Sequence, residues 1–160
     1  MNERNYWIGV VSGDHVARGV AGGFTQLNHG KAGPLERMRA GDGFAFYSPR
    51  TAYPDGPPLQ AFTAIGRIRN GNVYQAAGAM DGTEGAPGFM PFRLEVDYFP
   101  AQVAPIKPLI EHLSFIRSKM HWGAAFRFGY LRVPEADFAA IAAAMGRNFV
   151  EDFRPATMPA

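Results

Sequence analysis

In residues 24–50, "FTQLNHGKAGPLERMRAGDGFAFYSPR", side chains able to do chemistry crowd into one short stretch. His29 and Lys31 flank Gly30, Gln26 and Asn28 precede them, and Ser48 and Arg50 close the aromatic run that follows. Together they offer an imidazole, an ammonium, two amides, a hydroxyl and a guanidinium. Such a set suits phosphate and the polar edges of a heterocycle. Acid–base catalysis asks for more, and the sequence offers neither His29 nor Lys31 a carboxylate partner. Aromatic residues stand beside polar or basic neighbours at Trp7, Tyr47, Phe62, Trp122 and Phe126, and Arg127 follows the last of them. A base outside its duplex is a flat ring with polar edges. Holding it takes faces to stack on and a few placed donors and acceptors.

Other chemistries can be tested and set aside. "HGKA" lacks the upstream glycine and the Ser/Thr of a phosphate-binding P-loop. There is no G-x-S-x-G nucleophile elbow. No His is followed two residues later by Glu, and there is no C-x-x-C, so the zinc-deaminase signature is missing. The chain has no cysteine, which removes disulfides, thiolate metal sites and cysteine nucleophiles together. His15, His29, His112 and His121 have no metal-like spacing, and Asp42 sits in a turn of the kind whose backbone such a side chain commonly bonds. The expectation is a protein without catalytic residues, metal or cofactor, and not an enzyme. Each binding candidate also has a structural alternative. Trp7 could fill a barrel, His29 and Lys31 could be a solvated loop, and Arg50 could pair with Asp55.

The chain has 160 residues, 47% hydrophobic and 13% aromatic, enough for one globular domain with a real core. No apolar run approaches the ~20 residues of a membrane span, and the N-terminal apolar run is too short for a signal-peptide core. A cytoplasmic protein with no membrane partner is expected. Net charge is only +2, but 13 of the 16 basic residues are Arg. Between Phe24 and Arg69 six basic residues face three acidic ones. That points to a local positive face rather than a strongly cationic molecule.

These residues need elements to position them. Residues 6–11 read as a buried strand. Ser12 stands at an N-cap position before a helix that ends at Gly22 and Gly23. Pro34 opens a short helical turn. Strands are expected at 44–48 and 59–69, with "NGN" as a hairpin turn into a return strand at 73–75. Residues 76–88 read as a loop and 91–99 as a half-exposed strand of clean alternation. A helix is expected over 106–116, a further strand before residue 134, and a helix from Pro134 to Gly146. No run of alternating βαβ units appears, so the fold class is α+β: a mixed, curled sheet with helices packed around it. One domain over residues 1–150 and a tail over 151–160 are expected.

The runs "YWIGVVSGDHV", "GGFTQLNHGKAGPLERMRAGDGFAFYSPR", "LQAFTAIGRI" and "HWGAAFRFGYLRV" resemble the EVE domain family over about residues 5 to 145. The "Q-x-x-H-G-K" run, with "GD" and "YSPR" at this spacing, is its most specific part. The resemblance implies a PUA-like fold, a curled β-barrel with peripheral helices, related to the YTH readers of methylated adenine. It implies a nucleic-acid reader, with modified DNA favoured and RNA as the alternative. A separate nuclease or modification enzyme is the further partner implied. Carried over by position, it assigns Trp7 to the pocket, Ser12 and His15 to the first strand-to-helix junction, and Gln26, Asn28, His29 and Lys31 to the loop over the pocket mouth. It assigns Tyr47, Ser48 and Arg50 to the rim, and Trp122, Phe126 and Arg127 to the late aromatic segment.

Overall fold

The computed structural model describes residues 4–76 and 90–153. Its organising strand is Tyr6–Val10 (β1), whose aromatic and β-branched side chains bury themselves on both faces. β1 pairs in parallel with Gly43–Arg50 (β3) and antiparallel with Tyr130–Val133 (β8). β3 pairs antiparallel with Pro58–Ile68 (β4), and β4 with Phe92–Tyr98 (β6). Phe24–Thr25 (β2) joins the far edge of β6, giving the order β2-β6-β4-β3-β1-β8. Two short strands, Tyr74–Gln75 (β5) and Ala104–Pro105 (β7), pair with β6 and β4.

Register shifts interrupt the β3–β4 ladder between Phe46 and Tyr47 and again between Ser48 and Arg50. Such bulges bend and twist a strand, so the sheet curls. Among the described residues three α-helices lie around it: Gly13–Gly22 (α1), Glu135–Ala144 (α2) and Phe149–Phe153 (α3). This is the α+β arrangement that the sequence led us to expect.

Alternation along the central strands divides the core in two. On one face Tyr6, Ile8, Tyr47 and Phe62 pack with Phe138, Ile141 and Phe153 from α2 and α3. On the other Trp7, Phe44 and Phe46 pack with Val16 of α1 and with Leu27, Leu35 and Leu94. Pro34 precedes a single 3₁₀ turn, Leu35–Arg37, as the sequence implied. Among the described residues no helix is long and apolar enough to cross a membrane.

Three expectations need correction. Residues 106–116 do not form a regular α-helix. A 3₁₀ segment, Lys107–His112, stands there instead. The Ile106 amide donates to Gln60 O at 2.9 Å, and buried Asp137 accepts from the Phe115 amide at 3.0 Å and the Ser114 hydroxyl at 2.8 Å. Both ends of the stretch are thereby pulled away from helical pairing. "NGN" does not make a hairpin, since β5 pairs with β6 and not with β4. The Asn72 amide donates to Asn70 Oδ1 at 3.0 Å and Asn70 Nδ2 to Glu95 at 3.2 Å, which steers the chain toward β6.

The alternation of β6 breaks at Arg93, which is buried because Phe24 and Gln26 lie across it. Its guanidinium sits 4.2 Å over the Phe24 ring, and its Nε donates to Gln26 Oε1 at 3.0 Å. At its C-terminal side the described chain closes in a helix. α3 runs to Phe153, which is 1% exposed. The loop expected at 76–88 lies outside the described residues from 77 onward.

Candidate nucleic-acid interface

Because β1 and β3 run parallel, their C-terminal ends lie side by side. The Val11 amide donates to Tyr47 O at 3.2 Å just past the paired region. Ser12 occupies the N-cap position of α1, but its hydroxyl bonds the Asp14 carboxylate rather than a helix amide. The Asp14 amide donates to Thr51 O at 2.8 Å, tying the start of α1 to the loop after β3. His15 follows, half-buried. At the end of β3, Ser48 is fully buried and its hydroxyl lies 2.8 Å from that of Thr63. Arg50 is exposed and donates to Gly56 O at 2.9 Å, not to the Asp55 carboxylate.

The loop over these strand ends is a 3₁₀ turn, Asn28–Gly30. Asn28 and His29 both have positive φ, 47° and 57°, and Gly30 has 82°. Three left-handed residues in succession give the loop a fixed, tight curl. Its tip is exposed: His29 lies edge-on to Tyr53 with ring centroids 6.2 Å apart, and Lys31 points away from the core. Asn28 Nδ2 donates to Phe128 O at 3.4 Å.

That contact brings in the late aromatic segment. Trp122–Phe126 forms a 3₁₀ turn ahead of β8. Phe126 is buried and stacks on Tyr47 with centroids 4.0 Å apart. Trp122 is half-buried and meets Tyr47 edge-on at 6.5 Å. Burial pushes the Tyr47 hydroxyl up to about 12, which keeps it neutral at ordinary pH. Arg127 is exposed. Gly129, at φ 85°, places its carbonyl to accept from the Val10 amide at 2.9 Å, and any Cβ there would collide with the Asn28 side-chain oxygen. The strand ends, the loop and the late segment therefore meet through the Asn28, Gly129 and Trp122 contacts. Ser12, Asn28, His29, Lys31, Trp122 and Arg127 are among the residues of these segments left at least partly exposed.

Five expected residues are used inside the fold instead, two of them, Tyr47 and Phe126, as the buried stacked pair. Trp7 is only 4% exposed, and its Nε1 donates to buried Asp42 at 2.9 Å. It is not a free stacking face. Gln26 is 3% exposed and holds Arg93, and Ser48 holds Thr63. Trp7 forms instead the floor of an open depression of about 350 Å³, walled by Arg37, Phe128, Tyr130, Leu131 and Arg132. Sequence reasoning passed over Phe128, Tyr130, Arg132 and Tyr53. The alternation of rings and arginines in "FRFGYLR" was the signal for the first three. Among the described residues no group of three or more His, Cys, Asp or Glu side chains could hold a metal ion.

Fold and surface together define a small α+β domain with a polar, ring-bearing surface at the ends of parallel strands. The chain belongs to the EVE family: the EVE domain model matches residues 5–144. The UPF0310 protein YdcG of Bacillus subtilis (strain 168) is 46% identical over 144 residues, covering 90% of this chain and 94% of that protein. A UPF0310 protein of Mycolicibacterium vanbaalenii is 50% identical over 139 residues, covering 87% and 91%. Among solved structures, protein Atu2648 from Agrobacterium tumefaciens aligns with a TM-score of 0.49 at 17% identity, covering 98% of this chain and 99% of that one.

Proposed function

We propose that this protein is a non-catalytic nucleic-acid-binding domain that reads one base, flipped from DNA and modified, at the surface formed by the strand ends. The observation that carries the reading is the Asn28 to Phe128 contact. It ties the turn that carries His29 to the segment that follows Trp122 and Arg127, 100 positions later in the chain, which supports reading the two as one site. Trp122 supplies a ring to stack on and His29 a donor for a base edge. Among the described residues Lys31 and Arg127 have no carboxylate partner, so both are available to phosphate. Gln26 and Ser48 support this surface from within. In this reading a separate nuclease or modification enzyme acts on the DNA so marked.

The test is a titration of oligonucleotides carrying 5-substituted cytosine, N6-methyladenine or no modification, at fixed salt. One modified base is expected to bind tighter than its unmodified counterpart. His29→Ala and Arg127→Ala should each weaken that binding by roughly tenfold without lowering the unfolding midpoint. Equal affinity for all the oligonucleotides rejects modification reading. Tighter binding of the RNA version of the same sequence transfers the site to RNA through its 2′-hydroxyl.

A further inference from the structure

The depression floored by Trp7 lies next to the reading surface without being part of it. It opens beside the carboxy-terminal half of the turn that Asn28 grips, because Phe128 belongs to both. Phe128 is 76% exposed, and among the described residues no ring stacks on it. Arg132 stands on β8 directly across from Trp7, and Arg37 reaches in from the 3₁₀ turn on the other side. Arg37 Nη1 donates to the Tyr130 hydroxyl at 3.3 Å, which holds the guanidinium in place. Neither arginine has a carboxylate partner among the described residues. Two like charges turned toward one hollow repel each other, and an anion between them removes that cost. At about 350 Å³ the hollow is at the small end of ligand sites, adequate for one nucleotide but not for a folded partner.

We propose that this depression takes a second nucleotide of a bound single strand, its base stacked on Phe128 and its phosphate held between Arg37 and Arg132. From Trp7 to Val11, just past the end of β1, the extended chain spans roughly 13 Å at about 3.3 Å per residue, the reach of a few nucleotides. The proposal rests on the nucleic-acid reading of the neighbouring surface and adds to it a grip on the flanking strand. A phosphate-bearing strand is favoured over an acidic peptide because the site pairs its two cations with an exposed ring. Stacking is the contact that every base offers and a carboxylate side chain lacks.

The experiment compares a mononucleotide with a short single strand, both carrying the preferred base, on the full chain by fluorescence anisotropy across a salt series. Phe128→Ala should weaken the strand by roughly 5- to 100-fold. Arg132→Ala should flatten the slope of log affinity against log salt by about 0.7. Mononucleotide affinity should stay unchanged in both. Phe128 and Arg132 are exposed, so neither substitution should lower the unfolding midpoint. Unchanged strand affinity and slope in both variants overturns the proposal, and if His29→Ala still weakens binding by roughly tenfold the base-reading surface survives that result. Loss in Arg132→Ala with no effect of His29→Ala supports the depression and removes the reading surface. A poly-glutamate peptide that binds as tightly as the strand, and weakens equally in Phe128→Ala, overturns the assignment to nucleic acid.

Discussion

Asp42 does more for this fold than its place in a turn suggests. Its carboxylate accepts from the Asn5 amide at 3.1 Å, the Arg39 amide at 3.0 Å and the Trp7 indole at 2.9 Å, and the residue is 2% exposed. Hydrogen bonds to a charged group contribute about 1.5–3 kcal/mol each, and buried donors left without a partner add their desolvation cost. Asp42→Ala should therefore lower unfolding stability by roughly 3 kcal/mol or more in urea titrations. Asp42→Asn, which keeps an accepting oxygen, should lower it by less. The bond to Arg39 was legible in the sequence, since turn carboxylates commonly bond a nearby amide. The bond to Trp7 was not, because that partner lies 35 positions away. The same limit hid the partners of Gln26 and Ser48. Polar side chains beside an aromatic strand look alike in sequence whether they face a ligand or one another.

The elements that read correctly are those whose periodicity is complete on their own: β1, β3, β4, α1 and α2. The segments that did not, at 106–116 and 70–75, are shaped by backbone partners from elsewhere in the chain. Helical spacing linked Ile106, Leu109, Ile110, Leu113 and Ile116; the first and the last two are buried and Leu109 and Ile110 half-buried, but burial alone does not make a helix. The joint between the 28–30 turn and the start of β8 is a further case. It depends on Gly129, whose φ of 85° and lack of a side chain let Asn28 approach. Gly129→Ala should cost about 1–3 kcal/mol from backbone strain alone, measured by chemical denaturation. It should also weaken oligonucleotide binding several-fold, because the loop carrying His29 and Lys31 loses its anchor. Asn28→Ala should reproduce the binding loss with a smaller change in stability.

Three tyrosines link the whole molecule to alkaline pH. Burial pushes the Tyr47 hydroxyl up to about 12. Burial, and then the Glu135 carboxylate, raise Tyr6 well above its ordinary value, and burial raises Tyr98. In the unfolded chain these groups lose protons near 10 while the folded chain keeps them, so the unfolded state binds fewer protons above that pH. Their contribution is complete below about pH 10 and declines as pH rises from there toward 12. Stability followed by circular dichroism should fall across that window, and Tyr47→Phe should make the fall shallower. Charge at the same level predicts the response to salt. Net charge is only +2, so nonspecific attraction is weak. If Lys31, Arg37, Arg127 and Arg132 each meet a phosphate, the slope of log affinity against log salt for a single strand should be roughly −3.

The pairing of β1 with β8 has a consequence for how the protein is made. β1 precedes in the chain both of its neighbours, β3 and a strand ending at Val133, and Phe153 lies in the core layer packed against it. A nascent chain cannot complete this sheet until Val133 has emerged. Until then the apolar central strand stays uncovered, and holdase chaperones are its natural protection during translation.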